Sequence, residues 1–310
     1  MTDTSIFKVL SLDGGGAKGF YTLGILTELE AAAGKPLSQL FDLIYGTSTG
    51  SIIAALIAEG RSVDQIHELY KAYVTPVMKA RLPSGKSAEL ESLARVVFGN
   101  SSFENLQTRL GIVATNWELE KPLIFKSDAS LAFGRGATFT PGFGVSIGDA
   151  VIASCSAYPF FKRKMLVTKD QKQVEAIDGG FCANNPVIYA IADALYALNV
   201  SRANLRVLSL GCGNYPEPKK GLFDLSKMVS KLISVQLLQK TLEANINSME
   251  QLRQLTYSDV ATVRIDESYS KPEMATDMFE SNLAKLNLIF QRGSESFGSN
   301  EKAIAALLGI

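Results

Sequence analysis

Two segments near the start of the chain each join a short apolar strand to a helix through a glycine-containing turn. The first strand, Ile6–Leu12, runs into the glycine cluster of "DGGGAKG", and the helix that follows ends near Gly34. The second strand, Phe41–Gly46, leads into a helix that ends at Gly60. Further strand and helix candidates follow as far as Leu205–Gly213. Strands that alternate with helices predict a mostly parallel sheet with helices on both faces, the α/β class.

The composition is that of a globular protein with no global charge. The chain has 310 residues, 46% of them hydrophobic, and its 31 basic residues balance 31 acidic ones. No global charge therefore favours a nucleic acid or an anionic surface as partner, and we expect no nucleic-acid polymer, although local charged patches stay open. The polar start Met1–Thr4 predicts no secretory signal, and no apolar run approaches the ~20 residues of a membrane span. Cys155, Cys182 and Cys212 lack CxxC spacing and indicate neither a disulfide framework nor a zinc site. We therefore expect a cytoplasmic protein.

The glycines of the first turn have the spacing of a dinucleotide-binding loop. The pattern Gly14-x-Gly16-x-x-Gly19 follows a strand and opens a helix, as does the loop that holds a cofactor pyrophosphate. That fold also expects an acidic residue near the end of the second strand, about 20 residues further on. Here Asp42 stands at the beginning of that strand, the wrong end for a ribose contact. The sequence therefore disfavours a nicotinamide or flavin cofactor.

The second turn contains a G-x-S-x-G motif, Gly46-Thr47-Ser48-Thr49-Gly50. Between a strand and a helix, small residues two positions before and after a serine allow the sharp turn that exposes a nucleophilic hydroxyl. The N-terminus of the following helix also places positive dipole character near a developing anion. The motif predicts Ser48 as a nucleophile, with a purely structural turn as the alternative.

A serine nucleophile needs a base, and the chain has a single histidine. His67 lies in "SVDQIHELYKAY", beside Ile66 and off the apolar stripe, which predicts a position on a helix flank or surface. Asp178 lies in "EAIDGGFCANNPV", where a strand meets a turn at which Gly179 and Gly180 allow close backbone approach. An Asx-type turn is the structural alternative, but the lack of another histidine favours Asp178 as the base.

A carboxylate base places a demand on the rest of the site. An aspartate with an ordinary pKa of ~3.9 is a weak base for a serine hydroxyl. It therefore needs partial desolvation and a strong oxyanion site. Between a strand and a helix, Gly14, Gly15 and Gly16 can present consecutive backbone N–H groups to a tetrahedral oxyanion. The glycine cluster is thus predicted to form an oxyanion hole.

In this order, "DGGGAKG", "GTSTG" and "DGG" resemble the motifs of the patatin-like phospholipase family, over about residues 6–215. The resemblance implies a three-layer α/β/α fold and hydrolysis of lipid acyl esters by a Ser–Asp dyad, with no cofactor and no metal. By motif it implies that Ser48 is the nucleophile and Asp178 the base. It implies that the backbone N–H groups of Gly14, Gly15 and Gly16 form the oxyanion hole. The other motif glycines support the turns: Gly19, Gly46, Gly50, Gly179 and Gly180. Asn184, Asn185 and Pro186 match the family's turn after the aspartate, and we assign them a structural role.

One position departs from the family pattern. The glycine loop of the family usually carries an arginine where this chain has Lys18, which keeps the positive charge but loses the bidentate fork. Lys18 is therefore predicted either to engage a phosphate headgroup or to brace the loop.

The "LSLDGGG" start and the helical C-terminal region also resemble bacterial patatin-type effectors of anti-phage signalling. That resemblance implies activation by a cyclic nucleotide and degradation of membrane phospholipid, with the protein acting peripherally at the membrane. No sequence feature fixes a nucleotide pocket or an oligomeric state, and a homo-oligomer is one hypothesis.

We expect a single domain over residues 1–310, with a catalytic core at about 6–215 and a helical region at about 220–310. Residues 62–110 indicate an irregular helical cap. Beyond Lys220, apolar residues at near-helical intervals predict a helix packed on the sheet, or else a membrane-touching or oligomerisation surface: Leu222, Leu225, Val229, Leu232, Leu237 and Leu242. Two functional alternatives stay open, a catalytically silent module that binds lipid or a signalling ligand, and a general serine esterase or peptidase.

Overall fold

Eight strands form one central sheet in the computed structural model, which describes residues 5–133, 139–216 and 233–310, without the side chains of 233–236. The strands are β1 (Phe7–Leu12), β2 (Leu43–Thr47), β3 (Arg109–Asn116), β4 (Lys121–Lys126), β5 (Lys164–Val167), β6 (Gln173–Asp178), β7 (Leu205–Leu210) and β8 (Ala261–Ile265). Their order is β5-β6-β3-β2-β1-β7-β8, and β4 pairs with β3. Five neighbouring strands, β3, β2, β1, β7 and β8, run parallel to one another. β4 and β6 are antiparallel to β3, and β5 is antiparallel to β6. The predicted mostly parallel α/β sheet is confirmed.

Helices cover both faces of the sheet and complete three α/β/α layers. They are α1 (Gly19–Ala33), α2 (Leu37–Leu40), α3 (Thr49–Ala58), α4 (Val63–Leu69), α5 (Thr75–Lys79), α6 (Pro83–Val97), α7 (Ile147–Cys155), α8 (Gly180–Ala183), α9 (Val187–Ala192), α10 (Ile233–Thr256) and α11 (Leu283–Leu308). One apolar core includes residues of α1, α3, α7 and α11, and a second includes residues of α9. Neighbouring residues of β1 divide between them, Leu10 in the first and Val9 in the second. The two cores therefore lie on opposite faces, since strand side chains alternate.

The pairing of β3 brings the ends of β2 and β6 together. β4 pairs with β3 over residues 111–116, so it occupies one edge of that strand. On the other edge, β2 covers the first half, up to Thr47 opposite Val113, and β6 covers the second half, with Asp178 opposite Ala114. Because β2 is parallel to β3 and β6 is antiparallel, the two strands meet at their C-terminal ends. Both candidate motif turns therefore begin at the same place.

The C-terminal region contains a strand besides the helices expected for residues at about 220–310. β8 lies within it and extends the sheet in parallel with β7, so the expected core boundary near residue 215 leaves out one strand. Side chains of β8 are mostly exposed or half-buried at the sheet edge. Its sequence "ATVRI" therefore lacks the continuous apolar run of a central parallel strand. Of the predicted apolar stripe, Leu242 is buried and Leu237 exposed on α10, and the positions at 222–232 lie outside the described residues.

Helix α11 packs against α1 with almost no space between their backbones. A Cβ atom on Gly24 would lie 2.0 Å from the Phe290 carbonyl oxygen, and one on Gly293 would lie 2.0 Å from that of Tyr21. Neither position can therefore carry a side chain. The C-terminal helix is thus fixed to the same core as the helix that follows the glycine loop.

Candidate active site

Ser48 stands on a strained turn between β2 and α3. Its backbone has φ 51° and ψ −122°, a region that non-glycine residues rarely adopt. A Cβ on Gly46 would lie 2.3 Å from the Gly50 carbonyl oxygen, and one on Gly50 would lie 2.3 Å from that of Leu12. The two glycines of the motif are therefore required because β1, β2 and α3 approach so closely.

A second serine holds the Ser48 backbone in place. The Ser48 N–H donates to Ser154 Oγ at 2.8 Å, and Ser154 Oγ donates to the Val113 carbonyl oxygen at 2.6 Å. Ser154 lies on α7, so this helix connects the turn to β3. No motif in the sequence indicates this role of Ser154.

Ser48 and Asp178 form a hydrogen-bonded pair. Ser48 Oγ donates to Asp178 Oδ2 at 2.7 Å, and the Gly180 N–H donates to Asp178 Oδ1 at 2.7 Å. Thr115 Oγ1 donates to the Asp178 carbonyl oxygen at 2.9 Å. Both carboxylate oxygens are therefore held, and one of them meets the serine hydroxyl.

The environment of Asp178 makes it a stronger base than an exposed aspartate. Burial raises the pKa of its carboxyl group to about 6, although the hydrogen bonds from Gly180 and Ser48 oppose the shift. This is the desolvation that a carboxylate base requires.

The glycine loop follows β1 beside Ser48, and its three amides differ. The Gly14 N–H donates to the Asn184 carbonyl oxygen at 2.9 Å. It is therefore not free to bind an oxyanion, contrary to the role predicted from the sequence. The Gly15 and Gly16 amides have no hydrogen-bond partner among the described residues. Gly16, at φ +58°, lines the same cavity as Ser48. Two of the three predicted donors therefore have available N–H groups.

Asn184 braces this loop from the turn after Asp178. Besides accepting from the Gly14 N–H, it donates from Nδ2 to the Gly14 carbonyl oxygen at 3.4 Å. Asn185 Oδ1 accepts from the Val187 N–H at 3.0 Å, at the start of α9. Both contacts fit the structural role that the sequence suggested.

Lys18 lies between Glu243 of α10 and Asp277, which precedes α11. Its Nζ is 4.0 Å from Glu243 Oε1, and its side chain is mostly buried. Burial raises the pKa of Asp277, and the positive charge of Lys18 is among the effects that oppose the rise. This position between Glu243 and Asp277 fits the bracing alternative better than contact with a headgroup.

An apolar cavity opens at Ser48. Gly16, Ser48, Thr49 and Ile52 form its base, and the helical region 62–110 forms one wall with Val74, Val77, Met78, Leu90 and Leu93. Cys155, Ala157 and Phe161 also line it. Its volume of about 40 Å³ holds only a few water molecules. An acyl chain therefore needs these walls to move apart.

The remaining wall comes from an irregular segment before α11, residues 275–282, which we call the C-terminal strap. Met278 and Phe279 of this strap line the cavity. The Ala17 N–H donates to the Met278 carbonyl oxygen at 2.9 Å, and a Cβ on Gly16 would lie 2.4 Å from the same oxygen. The strap thus packs directly on the glycine loop.

A buried ion pair also ties the glycine loop to the C-terminal region. Arg264 of β8 donates to both oxygens of Asp13, at 2.9 and 2.6 Å, and to Asp266 Oδ2 at 2.8 Å. Burial lowers the pKa of Arg264, but the charges of Asp13 and Asp266 more than compensate, so the guanidinium stays protonated. Burial raises the pKa of Asp13 to about 7, although the charge and hydrogen bonds of Arg264 oppose the rise. Asp13 directly precedes Gly14. No local sequence pattern indicates this pair, because the two residues are 251 positions apart.

The other candidates from the sequence lie away from this site. His67 is on α4, stacked on Phe290 with ring centroids 4.1 Å apart, which agrees with its predicted place on a helix flank. Asp42 precedes β2 and accepts from the Lys8 N–H at 2.7 Å, at the end of the strands opposite to the glycine loop. Within the described ranges, no helix has the length and apolar character needed to cross a membrane.

Comparison with known proteins identifies the family of the chain. Residues 10–191 match the family model described as "Patatin-like phospholipase". The chain is 55% identical, over 98% of its length and 94% of the relative's, to a protein of Escherichia coli named "cUMP-AMP-activated phospholipase". It is 30% identical, over 58% of its length and 55% of the relative's, to the "cGAMP-activated phospholipase" of Vibrio cholerae.

A solved structure shows the same fold at low sequence identity. The structure of VipD from Legionella pneumophila aligns with a TM-score of 0.50 and 12% identity, over 95% of this chain and 66% of that one. The fold suggested by the sequence is therefore confirmed, and the chain belongs to the patatin-like phospholipase family.

Proposed function

We propose that the protein hydrolyses acyl esters of membrane phospholipids, with Ser48 as nucleophile and Asp178 as base. The observation that carries this proposal is the 2.7 Å hydrogen bond from Ser48 Oγ to Asp178 Oδ2, at the base of an apolar cavity. The names of the relatives support phospholipid as the substrate class.

The reaction uses groups of this chain alone. Asp178 accepts the Ser48 proton as Oγ attacks the ester carbonyl carbon, and the developing oxyanion is stabilised by the Gly15 and Gly16 N–H groups and the N-terminus of α3. The ester bond then breaks, and the leaving lysophospholipid takes the proton from Asp178. Asp178 next removes a proton from water, which attacks the acyl-serine. The fatty acid leaves and Ser48 regains its proton.

The pH dependence follows from the state of the base. Asp178 can accept a proton only as a carboxylate, and burial raises its pKa to about 6. We therefore expect kcat/KM for a monomeric short-chain ester to fall about tenfold per pH unit below about 6. Initial rates over a pH range that brackets 6 measure this limb, and a limb near the ordinary aspartate value of ~3.9 would contradict the assignment.

A cyclic nucleotide is the proposed activator, and cUMP-AMP is our choice because of the relative that matches almost the whole chain. The cavity beside Ser48 has to widen before it holds an acyl chain. The activator is proposed to favour this wider state. The proposed role is an effector of anti-phage signalling that acts peripherally on the membrane. A homo-oligomer stays a prediction.

The test is fatty-acid release from phosphatidylglycerol-containing vesicles by the purified protein. We expect cUMP-AMP to raise the rate at least about fivefold, and more than cGAMP does, with Ser48→Ala plus cUMP-AMP as the blank. Equal rates with and without nucleotide would contradict the activator but not the hydrolysis. Absence of hydrolysis together with absence of fluorophosphonate labelling would favour the silent-module alternative, and cleavage of soluble esters alone would favour the general esterase.

A further inference from the structure

Four apolar or aromatic side chains next to the active site are exposed. Trp117 is 40% exposed, Tyr158 41%, Met165 53% and Val167 52%. With Arg163, which lies among them, we call this group the aromatic patch. Neither the fold nor the proposed chemistry accounts for such exposure.

The end of the interior strand β3 and the edge strand β5 both contribute to the patch. Trp117 directly follows β3, and its N–H donates to the Glu175 carbonyl oxygen of β6 at 2.8 Å. Met165 and Val167 lie on the edge strand β5, and Arg163 directly precedes it. These three residues alternate with Leu166, which faces the core, and with Lys164. Alternate residues share one face of a strand, so these side chains lie together on the outside.

Arg163 joins the two aromatic rings. Its guanidinium carbon lies 4.8 Å from the Trp117 ring and 5.5 Å from the Tyr158 ring, and the ring centroids are 5.6 Å apart. Arg163 Nη1 also donates to Glu175 Oε2 at 2.9 Å. The patch is thus assembled in advance, which lowers the conformational entropy lost when it binds a surface.

The patch shares a chain segment with the active site. Ala157 and Phe161 line the cavity, and Tyr158 lies between them in sequence. The Asp178 N–H donates to the Ser156 carbonyl oxygen at 3.0 Å. A surface that meets the patch therefore lies beside the cavity at Ser48.

Lysines leave a modest net positive charge near the patch. Residues 157–172 contain five lysine or arginine residues and one aspartate. Arg163 pairs with Glu175 and Lys164 with Asp149, so the excess comes from Lys162, Lys169 and Lys172, and Glu118 and Glu120 beside Trp117 offset part of it. A two-fold contact between copies of this chain through the patch would bring these like charges together. An anionic surface instead complements them.

We propose that the aromatic patch docks the protein on an anionic lipid bilayer. Tryptophan and tyrosine favour the headgroup level of a membrane, where their rings meet both apolar and polar surroundings. Met165 and Val167 then enter the acyl boundary, and Lys162, Lys169 and Lys172 meet lipid phosphates, while Arg163 stays paired with Glu175. The inference rests on the proposed function in that the substrate is a bilayer lipid.

The sequence provides its own reporter, because Trp117 is the single tryptophan of the chain. Full-length Ser48→Ala protein, which leaves the lipid intact, is titrated with phosphatidylcholine/phosphatidylglycerol vesicles, with and without cUMP-AMP. We expect a blue shift of the emission and quenching by lipids with brominated acyl chains. Unchanged emission while the protein sediments with vesicles would overturn the proposal, because the membrane would then contact another surface.

Variants of the patch test the contribution of its apolar side chains. Met165→Ser is expected to weaken vesicle binding about tenfold, since burial of such a side chain supplies a gain of this size. The matched control is Leu255→Ser on α10, where Leu255 is 73% exposed and no change is expected. Equal effects of the two variants on vesicle binding would overturn the proposal. It would also be overturned if the protein self-associates with rising concentration in sedimentation and Met165→Ser removes that association, because the patch would then bind a second copy.

Activity separates this inference from the proposed function. In the otherwise unmodified protein, Met165→Ser is expected to reduce hydrolysis of vesicle phospholipid and to retain hydrolysis of a monomeric short-chain ester. Equal loss on both substrates would contradict docking. If the parent protein cleaves neither substrate, the proposed function fails, while the Trp117 titration still decides whether the patch binds lipid.

Discussion

Ser48→Ala is expected to lower fatty-acid release by at least about 10³-fold, because the covalent step loses its nucleophile and only oxyanion and binding effects are left. Asp178→Asn is expected to have a comparable effect, since an amide cannot accept the Ser48 proton. Release of labelled fatty acid from vesicles in the presence of cUMP-AMP measures both variants against the parent protein.

The matched control for these variants is Ser299→Ala, which removes an exposed hydroxyl on α11 and should leave the rate unchanged. Circular dichroism and unfolding transitions verify that each variant folds. Hydrolysis by folded Ser48→Ala at the parental rate would show that another residue is the nucleophile.

Arg264→Met is expected to lower the free energy of unfolding by about 3–5 kcal/mol. The substitution leaves the Asp13 carboxylate buried without its partner, directly before the glycine loop. Because that loop carries the proposed oxyanion donors, the surviving folded protein should also lose hydrolysis. Urea unfolding followed by circular dichroism gives the stability change.

Arg202→Met is the control for this prediction. Arg202 lies 2.6 Å from Asp259, the same separation as Arg264 from Asp13, but its side chain is 39% exposed against 14% for Arg264. An exposed pair is screened by water, so no clear change in the urea midpoint is expected. A midpoint of Arg264→Met equal to that of the parent protein would show that the buried pair does not stabilise the fold.

The sequence predicted the features that depend on a few consecutive residues. Ser48 was recognisable because a G-x-S-x-G motif between a strand and a helix permits one kind of turn. Asp178 was recognisable because a strand ends at Gly179-Gly180 and the chain has so few histidines. The structure adds that these two turns meet because β2 and β6 share one edge of β3.

Features that depend on distant partners were not predictable. Three consecutive glycines suggested three oxyanion donors, but the contact with Asn184 occupies the Gly14 amide. Arg264 has no local signal, and β8 lacks a continuous apolar run because it lies at a sheet edge. Met278 and Phe279 lie in an irregular segment without periodicity, so nothing near them in sequence indicated a cavity wall.

The C-terminal strap has a consequence for how such proteins can diverge. Met278 and Phe279 line the cavity beside Ser48 but lie outside residues 10–191, the part that matches the family model. Substitutions in the strap can reshape the acyl site while every motif residue stays the same. Chimeras that exchange only the motif-bearing core between relatives would therefore carry the catalytic residues without the matching cavity wall.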